Sequence, residues 1–302
     1  MLFRSSSPPV RTFSTTAQSD ANAELAISKP CPLCGSIASR TTWETQGISF
    51  LQCAVCGLFR QDPQPATESV QKRYDDSYLE YETARHLEYR EIALKSLAEA
   101  GLSPRIDEKH EENSSSILEI GCATGALLSV FASEGWRAVG VEIGPSMATY
   151  ARSTFGLDIR TGTIESAGLE ARDFDVVIAT HLIEHLNDPR SFLKEVHRVL
   201  KKEGQLFIVT PNAEGFQSKL LGSLWRSAIR DHLYLFSIHT LRAMLVDEGF
   251  LVEYLGTWGG WPAGMKPVWL KKPLDWLAKR YGFGDVMIMR CRSVLLDSRE
   301  QA

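Results

Sequence analysis

The sequence has no long hydrophobic run and no large excess of charge of either sign. A helix that crosses a bilayer needs about 20 consecutive apolar residues, so we expect no transmembrane segment. The formal net charge of −4 argues against a protein devoted to nucleic acid, although a local basic face is compatible with it. With 44% hydrophobic residues, the composition is that of a globular protein with a sizeable core.

Acidic residues are absent from residues 1–18, which contain Arg4, Arg11 and many Ser and Thr residues. This composition is typical of an organellar transit peptide and equally of a disordered tail. We therefore predict that residues 1–28 form a tail outside the fold. The predicted location is cytoplasmic, or mitochondrial if the tail is a transit peptide.

Four of the six cysteines form two Cys-x-x-Cys pairs, Cys31 with Cys34 and Cys53 with Cys56. Two such pairs at this separation present four thiolates tetrahedrally, which is the ligand set of a structural zinc site. Two disulfides or four unrelated cysteines are the alternatives. Zinc is favoured because no secretory signal precedes the pairs and because the spacing is that of zinc ribbons. The sequence therefore predicts a zinc ribbon over residues 29–62 that holds a structural Zn²⁺.

Residues 117–125, ILEIGCATG, predict a buried strand that runs into a tight turn and then a helix. Gly121 and Gly125 allow a ligand to approach the backbone, and the helix N-terminus offers free N–H groups. The dinucleotide pattern G-x-G-x-x-G is not met, because Ala123 and Ala126 occupy its second and third glycine positions. A nucleotide-type cofactor without a pyrophosphate fits this stretch better.

The spacing E-x-G-x-x-x-G in this stretch resembles motif I of the class I S-adenosylmethionine (SAM)-dependent methyltransferases. The match continues with AVGVE at residues 138–142, with FDVVIA at 174–179 followed by THLIEHLNDP, and with QLFIVT at 205–210. These segments have the order and spacing of the family's strands. The resemblance covers roughly residues 116–292, and it implies SAM as the cofactor.

The resemblance implies an α/β fold with a Rossmann-like seven-stranded sheet, parallel with an antiparallel last strand, next to the small N-terminal zinc ribbon. We predict a helical lid or linker at residues 63–115 and the methyltransferase domain at 116–302. By resemblance, Glu142 binds the ribose and Glu119 supports the loop near the methionyl ammonium. Thr163, Ile164 and Glu165 occupy the region expected to meet the adenine. The implied cofactor-binding residues are Glu119, Gly121, Cys122, Gly125, Glu142, Ile143, Glu165 and Thr180.

The segment HLIEH at residues 181–185 has three interpretations. It matches the H-x-x-E-H metalloprotease motif, which requires a helix with both histidines on one face. Some metal-dependent O-methyltransferases have an E-x-x-E-H cluster at this place with a later histidine; here His181 replaces the first glutamate and His232 is the later histidine. In the third interpretation, Glu184 and His185 only begin a helix and support neighbouring residues.

Residues 213–238 follow the fifth predicted core strand, where insertions in the resembling family shape the acceptor pocket. We predict His232 as a general base, because histidine titrates near neutrality, and His181 as a second catalytic candidate. A base is not obligatory, since alignment and desolvation also accelerate methyl transfer. The next helix is predicted to begin after Asp188 at Pro189 and to end at Gly204.

Residues 258–280 contain four tryptophans among lysines and an arginine. A basic, Trp-rich segment is compatible with peripheral contact with a membrane or a lipid-linked substrate, and equally with packing over the sheet edge. The predicted function is methyl transfer to oxygen or carbon of a small-molecule, glycan or lipid-linked acceptor. Ribosomal RNA base methylation and a non-catalytic scaffold are the other hypotheses.

Overall fold

The computed structural model of the chain describes residues 30–65, 76–105, 115–262 and 264–294. The predicted tail at residues 1–28 lies outside the described residues. Parts of the predicted helical lid or linker, residues 66–75 and 106–114, lie outside them as well. None of the described helices is long and apolar enough to cross a membrane.

The described chain alternates strands and helices over most of its length. The strands are β1 (Ser39–Thr45), β2 (Ile48–Cys53), β3 (Phe59–Asp62), β4 (Ser116–Ile120), β5 (Arg137–Glu142), β6 (Asp158–Thr161), β7 (Phe174–Thr180), β8 (Leu200–Pro211), β9 (Tyr234–Leu235), β10 (Phe250–Trp258) and β11 (Val286–Ser293). The helices are α1 (Asp76–Thr83), α2 (His86–Glu99), α3 (Leu128–Ser133), α4 (Pro145–Phe155), α5 (Pro189–Val199), α6 (Phe216–Leu221), α7 (Ile238–Asp247) and α8 (Lys271–Tyr281).

Seven strands form the main sheet, in the order β10-β11-β8-β7-β4-β5-β6. The pairs among β8, β7, β4, β5 and β6 are parallel, and β11 is antiparallel to both β8 and β10. The predicted fold class is therefore confirmed, including the antiparallel last strand. The central strands are buried on both faces, which explains why β4 and β7 are almost continuously apolar in sequence.

Helices cover both faces of the main sheet. One face packs against α5 and α7 through residues such as Phe192, Leu193 and Met244, all 2% exposed or less. The other face packs against α2, α3 and α4, for example through Leu97 and Phe131. In such doubly wound sheets, ligands bind beyond the carboxyl ends of the parallel strands. The fold alone therefore places the candidate site at that edge of the sheet.

Helix α5 ends earlier than the sequence predicts. Asp188 is its N-cap and accepts a hydrogen bond from the backbone N–H of Ser191 at 3.0 Å, as expected. The helix stops at Val199, however, and residues 200–204 already belong to β8. Leu200 pairs with Phe174 of β7, so the sheet rather than the helix satisfies the backbone here.

Residues 39–62 and 234–235 form a second, four-stranded antiparallel sheet in the order β1-β2-β3-β9. Its fourth strand, β9, comes from the segment after β8, so this sheet joins the cysteine-rich module to the larger domain. Trp43 stacks on Phe59 with ring centroids 4.8 Å apart, and the buried Phe50 and Trp225 complete a small separate core. These aromatic contacts supply apolar burial that so small a module lacks on its own.

Candidate active site

A cleft of about 660 Å³ opens beyond the carboxyl ends of β4, β5 and β7. A second cavity of about 300 Å³ lies beside it and is lined in part by residues 162–165 and by α5. Gly121, Ile143, Leu182 and His185 line both, so the two spaces are neighbours. Residues from the first core strand, from the segment after β7 and from α1 and α2 therefore face one continuous site.

The loop after β4 adopts left-handed backbone conformations at Gly121, Ala123 and Gly125, with φ values of +71°, +46° and +74°. Gly121 lines the cleft, and a Cβ there would lie 3.3 Å from Leu182. A Cβ at Gly125 would lie 2.9 Å from the Cβ of Ala151. Gly125 therefore allows the loop to pack against α4, while Gly121 borders the space for a ligand.

Glu142, at the end of β5, is held by the loop that it faces. One carboxylate oxygen accepts from the backbone N–H of Ala123 at 2.9 Å, and the other accepts from Gly144 at 2.7 Å. Burial raises the pKa of Glu142, and these two N–H groups oppose that rise. Each oxygen retains acceptor capacity, so this carboxylate is suited to ribose hydroxyls.

Glu119, on β4, is only 6% exposed, and its Oε2 has no hydrogen-bond partner among the described residues. Burial raises the pKa of Glu119 to about 8, partly offset by a backbone hydrogen bond at Leu128, and the Glu142 charge adds to the rise. A cation placed beside this carboxyl would both ionise it and provide its missing partner.

The cleft contains a concentration of buried polar atoms without partners. Six such side-chain atoms occur in the described part of the chain, and four belong to residues that line the cleft: His86, Arg90, Glu119 and Thr180. Unpaired buried polar atoms are costly and rare in folded proteins. Their concentration here fits a polar ligand that carries both charged and hydrogen-bonding groups, as the methionyl part of SAM does.

The other predicted cofactor residues occupy different parts of the site. Ile143 borders both cavities, and the exposed Glu165 lines the smaller one. Cys122 lines the cleft but is 4% exposed, and its Sγ packs over Gly140 of β5, where an added Cβ would lie 2.7 Å away. The Cys122 side chain therefore supports the sheet.

Three histidines that line the cleft surround Glu184. Glu184 is fully buried; it contacts Nδ1 of His181 at 3.2 Å and accepts from Thr210 Oγ1 at 2.9 Å. The rings of His185 and His232 lie 4.7 Å apart, and ligand atoms of Glu184, His185 and His232 all lie within 4.8 Å of one another. The fold thus assembles a compact carboxylate and imidazole cluster.

Both imidazoles of this cluster are oriented by backbone carbonyls. His185 Nδ1 lies 2.8 Å from the carbonyl oxygen of Asp231, and His232 Nδ1 lies 2.8 Å from that of Ser227. A carbonyl only accepts, so each Nδ1 carries the proton and each Nε2 keeps its lone pair. Within the described chain, neither Nε2 makes a hydrogen bond.

The pKa values of Glu184 and His232 both lie well below neutrality. Burial lowers the pKa of His232 to about 4, although Glu184 opposes that fall. Burial opposes ionisation of Glu184, but the hydrogen bond to His181 and the neighbouring histidines outweigh it and lower its pKa to about 2. At neutral pH the cluster therefore holds a carboxylate beside a neutral His232.

The structure contradicts the metalloprotease interpretation of residues 181–185. His181 has a φ of +51°, and only Ile183–His185 form a short 3₁₀ turn, so the two histidines do not share a helix face. The sequence reasoning also gave too little weight to His185, which borders both cavities. It did not single out Arg90 of α2, which lines the cleft, because a single arginine in a helix carries no local signal.

The four predicted metal-binding cysteines converge at the N-terminal module. The Sγ atoms of Cys31 and Cys56 lie 3.4 Å apart, those of Cys34 and Cys53 lie 3.5 Å apart, and all four lie within 4.8 Å of one another. All are free thiols. Four sulfurs at tetrahedral zinc bond lengths would be about 3.8 Å apart, so this donor set fits Zn²⁺.

Comparison with protein families now bears on this site. A family model described as "Methyltransferase domain" matches residues 83–255, which is more than half of the chain. The chain belongs to this methyltransferase family. The matched residues include β4 with its glycine loop, Glu142 and the histidine cluster.

Curated relatives of this methyltransferase include proteins named ubiquinone biosynthesis O-methyltransferase. The one from Pseudomonas aeruginosa strain UCBPP-PA14 is 34% identical over 113 residues, which are 35% of this chain and 49% of the relative. The one from Hahella chejuensis is 35% identical over 113 residues, 35% of this chain and 48% of the relative. The chain spans about half the length of the curated relatives it matches.

Solved structures agree with the fold. A SAM-dependent methyltransferase from Thermotoga maritima superposes with a TM-score of 0.53 at 22% identity, covering 74% of this chain and 99% of that one. A SAM-dependent methyltransferase from Archaeoglobus fulgidus gives a TM-score of 0.52 at 20% identity, covering 72% and 100%. At these identities the likeness establishes the methyltransferase fold.

Proposed function

We propose that this methyltransferase transfers the methyl group of SAM to a hydroxyl oxygen of a small organic acceptor. The observation that carries the proposal is the cluster of Glu184, His185 and His232. The two histidines, with their unpaired Nε2 atoms, line the same cleft as Glu119 and Glu142. The O-methyltransferase names of the curated relatives support the choice of oxygen.

The residues that would hold SAM are divided between the two cavities. Glu142 would accept from the ribose hydroxyls, and Glu119 would pair with the methionyl ammonium. Arg90, whose Nε is buried and unpaired among the described residues, would bind the methionyl carboxylate. The smaller cavity, bordered by Ile143 and Glu165, would take the adenine. Bound SAM supplies an electrophilic methyl group on a sulfonium.

The histidine cluster would align the acceptor and remove its proton. A neutral His232 accepts a hydrogen bond from the acceptor hydroxyl at Nε2 and orients an oxygen lone pair toward the methyl group. Transfer of the methyl group would break its bond to sulfur, release S-adenosylhomocysteine and make the acceptor hydroxyl strongly acidic, so even a weak base such as His232 would take the proton. The buried carboxylate of Glu184 then stabilises the resulting imidazolium.

The cleft lining favours a small acceptor over the alternative of ribosomal RNA. Its described residues include the acids Glu82, Glu119 and Glu142 and the bases Arg90 and Arg226, and Arg226 is already paired with Asp285 at 2.7 Å. A phosphate backbone requires a row of unpaired cations along its path. The unpaired polar atoms in the cleft also argue against a scaffold that has lost its ligand.

We also propose that the four cysteines hold a structural zinc ion. The Sγ atoms of the four cysteines all lie within 4.8 Å of one another, as the ligands of one metal ion must. With four sulfur ligands the ion would have no open position. Its contribution would therefore be to the fold of the ribbon and not to methyl transfer.

The test is transfer of labelled methyl from SAM to matched acceptors: phenols, aliphatic alcohols, amines and ribosomal RNA. We expect O-methylated product, and we expect His232→Gln to lower kcat by about 10²–10³-fold with little change in affinity for S-adenosylhomocysteine. His239→Gln is the matched control, because His239 is exposed on α7 and outside the cleft lining.

Two results would contradict this proposal. Transfer only to amines or RNA would reject the oxygen acceptor. Loss of activity in a chelator, followed by recovery with Mg²⁺ or Mn²⁺, would assign the Glu184 cluster to a divalent cation, since hard ions do not suit the four thiolates.

A further inference from the structure

The segment Val268–Tyr281 of this methyltransferase exposes several large apolar side chains. Val268, Trp269, Trp276 and Tyr281 are 66%, 74%, 62% and 66% exposed. They belong to the short 3₁₀ turn Val268–Leu270 and to α8, and we call them the tryptophan surface. Single exposed apolar residues are ordinary, but a group that includes two tryptophans indicates a binding surface.

The tryptophan surface is held outward by a well-anchored helix. The inner side of α8 is fixed to β10, because Thr257 Oγ1 donates to the carbonyl of Ala278 at 2.9 Å. Asp275 accepts from the backbone N–H groups of Gly260 and Trp261 at 2.8 and 3.0 Å. Trp276 lies on the opposite side of α8 from these contacts and remains exposed.

Positive charge surrounds this apolar surface. Residues 264–281 contain five basic residues and one acid, a net charge of +4, whereas the whole chain carries −4. The acid, Asp275, is paired with Lys271 at 2.7 Å. Lys266 and Lys272 are exposed and form no ion pair with the described residues. The surface therefore presents unpaired cations beside tryptophans.

This combination complements an anionic lipid surface. Tryptophan prefers the boundary between lipid headgroups and acyl chains, and lysine extends from an apolar region to reach lipid phosphates. A second copy of the chain fits less well, since two such surfaces facing each other would bring like charges together.

The helix that carries the tryptophan surface is connected to the lining of the cleft. Trp258, the last residue of β10, lines the cleft, and the residues that follow it are bonded to Asp275 of α8. We propose that the tryptophan surface docks this methyltransferase on anionic phospholipid membranes. Docking holds the cleft close to the bilayer, where acceptors with an apolar tail partition. The inference does not depend on the acceptor, because membrane binding is measured without it.

Co-sedimentation of the full chain with vesicles tests the proposal. We expect binding to phosphatidylcholine vesicles that contain about one third phosphatidylglycerol, weaker binding at high salt, and little binding to phosphatidylcholine alone. Trp269→Ala with Trp276→Ala, and separately Lys266→Glu with Lys272→Glu, should each weaken binding by roughly tenfold or more. None of these four residues lines the cleft, so affinity for S-adenosylhomocysteine should be unchanged.

Two substitutions outside the tryptophan surface are matched controls. Leu251→Ala changes an exposed apolar residue of β10, and Lys194→Glu changes an exposed lysine of α5. Both should bind vesicles as the unmodified protein does. Absence of vesicle binding, or equal binding by the double variants and the controls, would overturn the proposal. Concentration-dependent dimerisation that the double tryptophan variant abolishes, without vesicle binding, would assign the surface to a second copy of the chain.

Discussion

Glu119 and Glu142 are buried carboxyl groups of one cleft, but their surroundings differ. Glu142 is held by the backbone N–H groups of Ala123 and Gly144, whereas one oxygen of Glu119 lacks any partner among the described residues. With its pKa raised to about 8, Glu119 is mostly protonated in the ligand-free enzyme at pH 7. This difference predicts which carboxyl responds to the cofactor.

We expect S-adenosylhomocysteine binding at pH 7 to release close to one proton, because its ammonium favours the ionised form of Glu119. The observed heat of binding should then depend on the ionisation enthalpy of the buffer. The proton release should become smaller as the pH rises from 7 to 8, because more of Glu119 is then ionised before the ligand binds. Calorimetric titration in phosphate and in Tris measures both.

Glu119→Gln is the matched variant, since it keeps the shape of the side chain and cannot titrate. It should remove the buffer dependence. It should also stabilise the ligand-free protein, because the folded state binds the extra proton between about pH 4.5 and 8 and stability therefore falls as pH rises through that window. A buffer dependence that persists in this variant would show that the proton comes from another group.

Helix α5 links the cysteine-rich module to the larger domain through Arg190. Its guanidinium donates to the backbone carbonyls of Pro32 and Leu33 in the ribbon and pairs with Asp247 and Glu248 at the end of α7. The N-cap at Asp188 begins α5 so that Arg190 lies in its first turn. A single side chain thus joins three elements.

Arg190→Ala should lower the free energy of unfolding by about 2–4 kcal/mol, because it leaves the nearly buried Glu248 carboxylate and two carbonyls without partners. Chemical denaturation measures the change. Arg160→Ala removes an exposed pair with Asp158 and should cost less than about 1 kcal/mol. Equal effects of the two substitutions would mean that Arg190 does not join the module to the domain.

At the scale of the whole molecule, the ribbon and the histidine cluster are connected through the backbone. The backbone N–H of Gln61 in β3 donates to the carbonyl of Leu233 at 2.8 Å, and the backbone N–H of Leu233 donates to the carbonyl of Glu184 at 2.7 Å. His232 immediately precedes Leu233. We therefore expect a displacement of the ribbon to move His232 and Glu184, the proposed acceptor side of the cleft. Glu119 and Glu142 lie on the main sheet and should keep their positions.

Removal of the proposed zinc should therefore affect turnover more than cofactor affinity. We expect a strong chelator, or Cys34→Ser, to lower the melting temperature by roughly 10 °C because the ribbon loses its ligand-derived stability. Methyl transfer should fall by about tenfold or more, with affinity for S-adenosylhomocysteine changed by less than about threefold, since only acceptor alignment depends on the ribbon. Unchanged turnover in metal-free protein would contradict this link.

Much of the fold could be predicted from local pattern. The strand, glycine turn and helix at residues 117–125, the acid that ends β5 and the N-cap at Asp188 each depend on neighbouring residues, so short stretches carry their signals. Resemblance supplied the seven-stranded sheet with its antiparallel last strand. The spacing of the two cysteine pairs likewise predicted their convergence, because each pair is a tight turn.

Other features depend on contacts between residues that are distant in sequence, and short stretches do not predict them. Leu200 begins a strand because Phe174 pairs with it, and β9 joins the ribbon sheet because β3 lies beside it. His185 and His232 meet although they are far apart in sequence, and both are oriented by carbonyls of the same loop. The sequence by itself determined the elements and their order, because backbone preferences are local. Tertiary structure decided which side chains share the cleft, because burial and hydrogen-bond partners depend on the path of the whole chain.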